Sequence, residues 1–492
     1  MSSSSFALTG IEGLDQILGH GLPRSRMYLL QGDPGVGKTT VGMQFLLEGA
    51  RLGETCLYVA MSETQQEIHA VVRSHGWSFE GIHVIDLSTI DPRAGLDSEN
   101  TLFEPSEVEL HEATRRVLEE VDRLKPDRVV IDSLSELRLL AQTALRYRRQ
   151  ILALKQYFSD RASTVLLVDD RTSAPADIQL QSLAHGVISL EHASPLYGAD
   201  RRRVRIAKLR GVRFRSGHHD FTIDTGGVEV FPRLTSLGRS PHGTLTQLSS
   251  GVPALDALLG GGLDYGTSTL FIGASGCGKS SCAIQYAVAA VRRGEQAAVF
   301  MFDERIETML TRTRALGTEL QPFIESGQLT VEEIDAAEIG AGEFAFRVQQ
   351  AVETAGCRLV VVDSLNGYLL AMASENQLSV QLHELLTYLG HRGVATVLVM
   401  AQHGLTGTMQ APVDVSYLAD TVVLLRYFEA RGRIRKAISV LKKRSGAHED
   451  TIRELTLSAR GVTVGAPLVA FSGVLTGVPE FSGDTDELAG RE

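Results

Sequence analysis

The chain has 492 residues, a formal net charge of −11 and a pI near 5.7, with 43% hydrophobic and 22% charged residues. That length is too great for one ordinary core and predicts two or three domains, and the balance is that of a soluble globular protein. The acidic surplus argues against a nucleic-acid binder of the basic-patch kind.

The start, MSSSSFALTG, has no basic region followed by an apolar stretch, so no signal peptide is read there. No apolar run reaches the ~18 residues of a membrane span. Four cysteines, Cys56, Cys277, Cys282 and Cys357, form no CxxC pair and have no histidine cluster at zinc spacing. They read as reduced thiols of a cytoplasmic protein with no membrane attachment.

In chain order, MYLLQG predicts a strand, GDPGVGKTT (residues 32 to 40) a glycine loop, and TTVGMQFLLEGARLG a helix. CLYVAMSE is the next strand. SEVELHEATRRVLEEVDRL is an amphipathic helix capped by Ser106, RVVIDS a strand, YRRQILALKQYF a helix and TVLLVDD a strand. Near-continuous apolar strands between helices indicate a buried, mainly parallel sheet. VISLEH, RRVRIAKLRG and FTIDTGGVEV follow, and their alternation predicts antiparallel strands at one edge. PRLTSLGRSPHGTLTQ, from Pro232, reads as a linker. The scheme then repeats as TLFIGA, GASGCGKSS (273 to 281), AAVFMFDE, LVVVDS, TVLVMA, TVVLLRY and KAISVLKKR.

The repetition is a duplication. The two loop lysines, Lys38 and Lys279, are 241 residues apart (279 − 38). At that shift Gly10 meets Gly251, Leu14 meets Leu255 and Asp15 meets Asp256, while Leu18, Gly19, Gly21 and Leu22 meet Leu259, Gly260, Gly262 and Leu263 without a gap. The fold class expected is α/β, with two tandem RecA-like P-loop domains. The expected bounds are 1–235 and 236–465, with 466–492 as a flexible polar tail.

Both loops satisfy GxxxxGK[ST] between a strand and a helix. Gly35, Gly37, Gly276 and Gly278 let the backbone wrap so that N–H groups face phosphate oxygens at a helix start. Cys277 fills a variable position of the second loop. Lys38 and Lys279 would reach the β- and γ-phosphates of ATP, and Thr39 and Ser280 would place a hydroxyl on Mg2+; Thr40 and Ser281 complete the two cradles. Asp132 and Asp363 end strands 94 and 84 residues after their lysines (132 − 38, 363 − 279) and would hold Mg2+ through water. Glu63, Asp303 and Glu304 end the strands beside the loops, where a base for water would act. Glu63 and Glu304 are again 241 apart (304 − 63).

The LD…LGGGL lead-in, the tandem arrangement, KLRG at Lys208 to Gly211, and the segment DVSYLADTVVLLRYFEARGRIRKAISVLKKRSGAHEDTIRELTL from Asp414 together resemble the bacterial KaiC family of RecA-like ATPases, over about residues 8 to 465. The resemblance implies a homo-hexamer of two stacked rings with ATP between neighbouring subunits. It implies Lys208, Arg210, Lys442 and Arg444 as cations presented to the adjacent subunit's nucleotide. It further implies an autokinase in the second ring, with Ser416 as its serine; Tyr417 stands where the family has a threonine, so a two-site Ser/Thr cycle is not supported. Response regulators, histidine kinases or Kai-type proteins are the partners implied, in a signalling or timing role. Two other readings stand beside it: a RecA- or DnaB-type DNA-dependent ATPase, for which the short basic runs ARGRIRK and RYRRQ speak and the net charge does not, and a nucleotide-dependent signalling scaffold.

Overall fold

A computed structural model describes residues 5–87, 105–171, 180–194, 198–234, 246–371, 378–402, 416–430, 432–476 and 480–481. The chain divides into two compact units, Met1–Arg233 and Leu234–Glu492. The linker expected from Pro232 lies for the most part, at 235–245, outside the described residues, as does the acidic ending 482–492.

The first unit is built on nine strands: β1 (Met27–Gly32), β2 (Cys56–Ala60), β3 (Ile82–Asp86), β4 (Arg128–Asp132), β5 (Thr164–Asp170), β6 (Gly186–Ala193), β7 (Arg201–Leu209), β8 (His218–Asp224) and β9 (Gly227–Phe231). They form one sheet in the order β9-β8-β7-β6-β1-β5-β4-β2-β3. The stretch from β6 to β3 is parallel, and β7, β8 and β9 are added antiparallel. The second unit repeats this with β10 (Ser268–Gly273), β11 (Ala297–Met301), β12 (Leu329–Glu333), β13 (Leu359–Asp363), β14 (Ala395–Ala401), β15 (Thr421–Ala430), β16 (Arg433–Lys443), β17 (Arg453–Ser458) and β18 (Gly461–Pro467), in the order β12-β11-β13-β14-β10-β15-β16-β17-β18. Each unit is thus a mainly parallel α/β sheet of RecA type.

The strands carry apolar residues at successive positions because both faces are covered. In β1, Tyr28 and Leu30 face a core shared with Met43 and Phe45 of the helix Lys38–Arg51. Met27 and Leu29 face the opposite core, with Val117 and Val121 of the helix Pro105–Leu124 and Ile151 and Leu154 of the helix Ala144–Ser159. The period of two along the strand therefore feeds two separate layers. In the second unit Phe271 and the helix Lys279–Arg292 share one core, while Leu270 and Ile272 join the other.

Two expectations are corrected. VISLEH, read as antiparallel, is parallel to β1 with Leu30 opposite Ile188, and only β7 onward runs back. TVVLLRY in β15 does the same against β10. Both are buried over their first five residues because they sit inside the sheet and not at its edge. The residues after 466 are not wholly a tail. Phe471–Ser472 pairs with Glu480–Phe481, Val474 is buried, and Phe471 stacks edge-on against Phe428 of β15 at 5.5 Å. The reason is compositional: Leu468, Phe471, Val474 and Phe481 precede the polar run and close over the sheet.

Local signals set element boundaries. The helix Gln65–Ser74, directly after the acid Glu63, opens with a capping box: Thr64 accepts from the Glu67 N–H, and Glu67 accepts from the Thr64 N–H. Thr64→Ala is expected to cost about 1 kcal/mol of stability, the usual worth of such a cap. Urea unfolding of the full chain checks it, with the Glu67→Gln chain giving a smaller loss.

Candidate functional site

The loop after the central strand is where an α/β sheet exposes backbone N–H groups, at the point where successive connections leave in opposite directions. In the first unit β1 occupies that point, with β5 on one side and β6 on the other. Gly35 and Gly37 take φ of +76° and +106°, values that a side chain disfavours, and Gly276 and Gly278 repeat them at +76° and +108°. The helices begin at Lys38 and Lys279, immediately after the loops. Thr40 and Ser281 are buried in their first turns.

Lys38 is buried and folds back over the loop. Its Nζ donates to Gly32 O at 3.0 Å and Asp33 O at 2.8 Å, and pairs with Asp170 Oδ1 at 2.8 Å. Lys279 donates to Ala274 O at 2.6 Å and lies 3.8 Å from the Cys277 sulfur. Burial pushes the Cys277 thiol up, against the pull of Lys279, so it is held as a neutral loop side chain.

The acids at the strand ends meet the hydroxyls that follow the lysines. Thr39 Oγ1 donates to Asp132 Oδ2 at 2.7 Å, and Tyr58 donates to the same oxygen at 3.0 Å. In the second unit Ser280 faces Asp363 and helps to hold its carboxyl down against burial. Burial raises both carboxyls, against these hydrogen bonds and the lysines. Each is therefore an oxygen donor whose negative charge the protein leaves under-compensated, beside a second oxygen donor. That chemistry fits Mg2+, which takes few protein ligands and keeps water and phosphate oxygens. Among the described residues no three His, Cys, Asp or Glu side chains form a protein-only cage.

The candidate bases differ between units. Glu63 is half-buried, and its Oε2 has no hydrogen-bond partner among the described residues. Burial, then Asp132 and Glu67, raise its carboxyl. Glu304, its counterpart, pairs with Arg312 at 2.6 Å, yet burial still raises it. Arg312 also reaches Ser281 Oγ at 3.4 Å, so Glu304 lies on the side of the loop helix. Asp303 accepts from Ser364 Oγ, on the segment after β13.

The four basic residues at the ends of β7 and β16, Lys208 and Lys442 within the strands and Arg210 and Arg444 just past them, do not extend free of their own unit. Lys208 donates to the carbonyls of Gln181, Ser182 and Ala184, and Arg210 to that of Ser182. Lys442 donates to Ser416 O at 3.1 Å and Ala419 O at 2.7 Å, and Arg444 to Tyr417 O at 2.9 Å. In both units the cations clasp the turn that enters the strand beside the phosphate loop. Ser416 is partly buried on that turn and Tyr417 is 56% exposed.

Two residues beside the sites escape a reading of the motifs alone, Asp170 and Arg312. The signal for Asp170 is the duplication itself. The offset of 231 that relates Asp132 to Asp363 (363 − 132) also relates Asp170 to Ala401 (401 − 170), so one cradle has an acid where the other has a methyl group.

A sequence profile of the KaiC ATPase family matches residues 7–235 and again 248–469. The chain belongs to the KaiC family of ATPases. Its relatives include the circadian clock protein KaiC2 of Synechocystis sp., 27% identical over 98% of this chain and 85% of that protein. The circadian clock oscillator protein KaiC of Thermosynechococcus vestitus is 27% identical over 96% of this chain and 91% of its own length. KaiC3 of Synechocystis is 25% identical over 97% and 95%. Family membership makes ATP the nucleotide that the chain uses. No described helix of this KaiC-family chain is long and apolar enough to cross a membrane.

Proposed function

We propose that this KaiC-family ATPase works as a hexamer of two rings, hydrolyses ATP in both halves and phosphorylates itself on Ser416 from the second half. It acts as a slow nucleotide and phosphorylation switch in signalling or timing. The observation that carries the reading is the duplicated triad of loop lysine, hydroxyl and strand-end acid, with Lys38, Thr39 and Asp132 in one half and Lys279, Ser280 and Asp363 in the other.

In the mechanism, loop N–H groups and the lysine orient the triphosphate and withdraw charge from its terminal oxygens. Thr39 with Asp132, and Ser280 with Asp363, would hold Mg2+, which neutralises phosphate charge when bound. Glu63 accepts the proton of the attacking water; a carboxyl raised by burial is a stronger base than an exposed one. Glu304 does so in the second half. It is preferred to Asp303 because it is the counterpart of Glu63 and stands on the loop-helix side, whereas Asp303 is engaged by Ser364. Lys208, Arg210, Lys442 and Arg444 serve the neighbouring subunit's nucleotide after releasing the carbonyls that they clasp. That release frees the turn bearing Ser416, which couples assembly and nucleotide to the phosphosite. A phosphate there adds about −1.5 to −2 charge beside Lys442 and Arg444.

Kai-type proteins are the partners we propose, by likeness to relatives whose names place them in circadian clocks. Tyr417 beside Ser416 makes this a single-site switch.

Mass spectrometry of the chain incubated with Mg-ATP tests the autokinase. Phosphate is expected on Ser416, absent in Lys279→Ala and present in Lys38→Ala. No phosphopeptide between residues 405 and 430 would remove the autokinase from the account and leave the ATPase.

A further inference from the structure

We propose that Asp170 is a resident counter-ion of the first phosphate cradle, competing with nucleotide phosphate for Lys38 and making the first half the weaker binder of ATP. The inference rests on the reading of GDPGVGKTT as that cradle.

The sheet places the acid. β1 and β5 run parallel with Gly32 opposite Asp170, so the carboxylate emerges beside the first residue of the loop. One oxygen pairs with Lys38 Nζ at 2.8 Å, and the other accepts from Ser135 Oγ at 2.9 Å. The preceding residue, Asp169, is buried and paired with Arg138. Asp170 is thus fixed by the strand, by Ser135 and by its neighbour's ion pair. Burial works against its charge, but Lys38 and Ser135 outweigh it and hold the carboxyl below the usual range. It is an anion at neutral pH.

A phosphate that takes Lys38 must displace this carboxylate or stand next to it. Like charges within about 5 Å near a protein surface repel strongly enough to change binding by on the order of ten-fold or more, even after screening. Asp170 is 36% exposed, which sets the expectation at the lower end.

The second half supplies the internal comparison. Gly273 stands opposite Ala401 in the same register. Lys279 makes no ion pair among the described residues and contacts Ala274 O and the Cys277 sulfur. The strand-end acids Asp132 and Asp363 are common to both halves, so they do not distinguish them. Asp170 does.

The test uses the full-length chain carrying Lys279→Ala, so that only the first cradle binds, with Mg2+ and the non-hydrolysable β,γ-imido analogue of ATP titrated by calorimetry. Asp170→Asn keeps a group for Ser135 and removes the charge. It is expected to tighten the analogue about ten-fold and ADP by clearly less, because the γ-phosphate adds charge at Lys38. The reciprocal change, Ala401→Asp in a Lys38→Ala chain, is expected to weaken the second cradle about ten-fold. That arm stands even where Asp170→Asn fails to fold. Unchanged or weaker binding by a folded Asp170→Asn chain overturns the proposal, because Asp170 would then position Lys38. So does an Ala401→Asp chain that binds as tightly as its parent. Adding Lys38→Ala to the Lys279→Ala chain separates the two levels. If nucleotide binding persists there, the cradle reading itself fails; if it is lost while Asp170→Asn does not tighten, only the counter-ion inference fails.

Discussion

A chain carrying Lys38→Ala and Lys279→Ala together is expected to lose ATP turnover by at least ~10²-fold, because a charge aimed at the transferring phosphate is worth about that or more in a water-excluded site. Each single variant keeps the turnover of the other half, so the two singles sum to roughly the parent rate if the halves work independently. Phosphate release measured with saturating Mg-ATP reads the result. Each lysine is buried at a helix start and held by loop carbonyls, so thermal unfolding of each variant accompanies the assay. A folded double variant that still turns over near the parent rate would place the chemistry outside both loops.

The duplication makes most of the fold legible in the sequence. A gap-free shift of 241 aligns the lead-ins, the loops and the acids Glu63 and Glu304. Motif residues such as Lys38, Thr39 and Asp132 are legible because the loop pattern fixes their strand and loop positions, and the fold brings Thr39 and Asp132 together. The parallel direction of β6 and β15 is not legible. Direction is decided by where the connection crosses the sheet, and alternation within VISLEH carries no such information. The packed segment around Val474 is masked by the polar ending that follows it. Asp170 and Arg312 are hidden for a further reason. The duplication marks Asp170 only as a difference from Ala401, and its contact with Lys38, like that of Arg312 with Glu304, comes from a register or a helix face that the folded chain supplies.

Glu63→Gln is expected to lower hydrolysis in the first half by about 10²-fold to 10⁴-fold while leaving nucleotide binding in place, the usual scale for removing a positioned base. It is measured in a Lys279→Ala chain, with the imido analogue reporting binding. The pH dependence follows in sign. The base must be ionised, and burial with Asp132 and Glu67 nearby raises its carboxyl above the ordinary glutamate value of 4.5. Turnover in the first half therefore declines on acidification at a higher pH than an exposed glutamate would impose, and Glu63→Gln removes that limb. The second half contrasts. Glu304 spends one oxygen on Arg312, whereas the residue 241 positions earlier than Arg312 is Val71 (312 − 241), which offers Glu63 no cation. One half thus sets a base without a cation beside an ion-paired lysine, and the other sets an ion-paired base beside a lysine that no described carboxylate engages. The first half is expected to show the higher kcat and the higher KM, and the second the lower kcat and the lower KM. Kinetics of Lys279→Ala against Lys38→Ala chains read that split directly. Equal kcat in the two, with Glu63→Gln and Glu304→Gln equally silent, would mean that neither glutamate handles the proton.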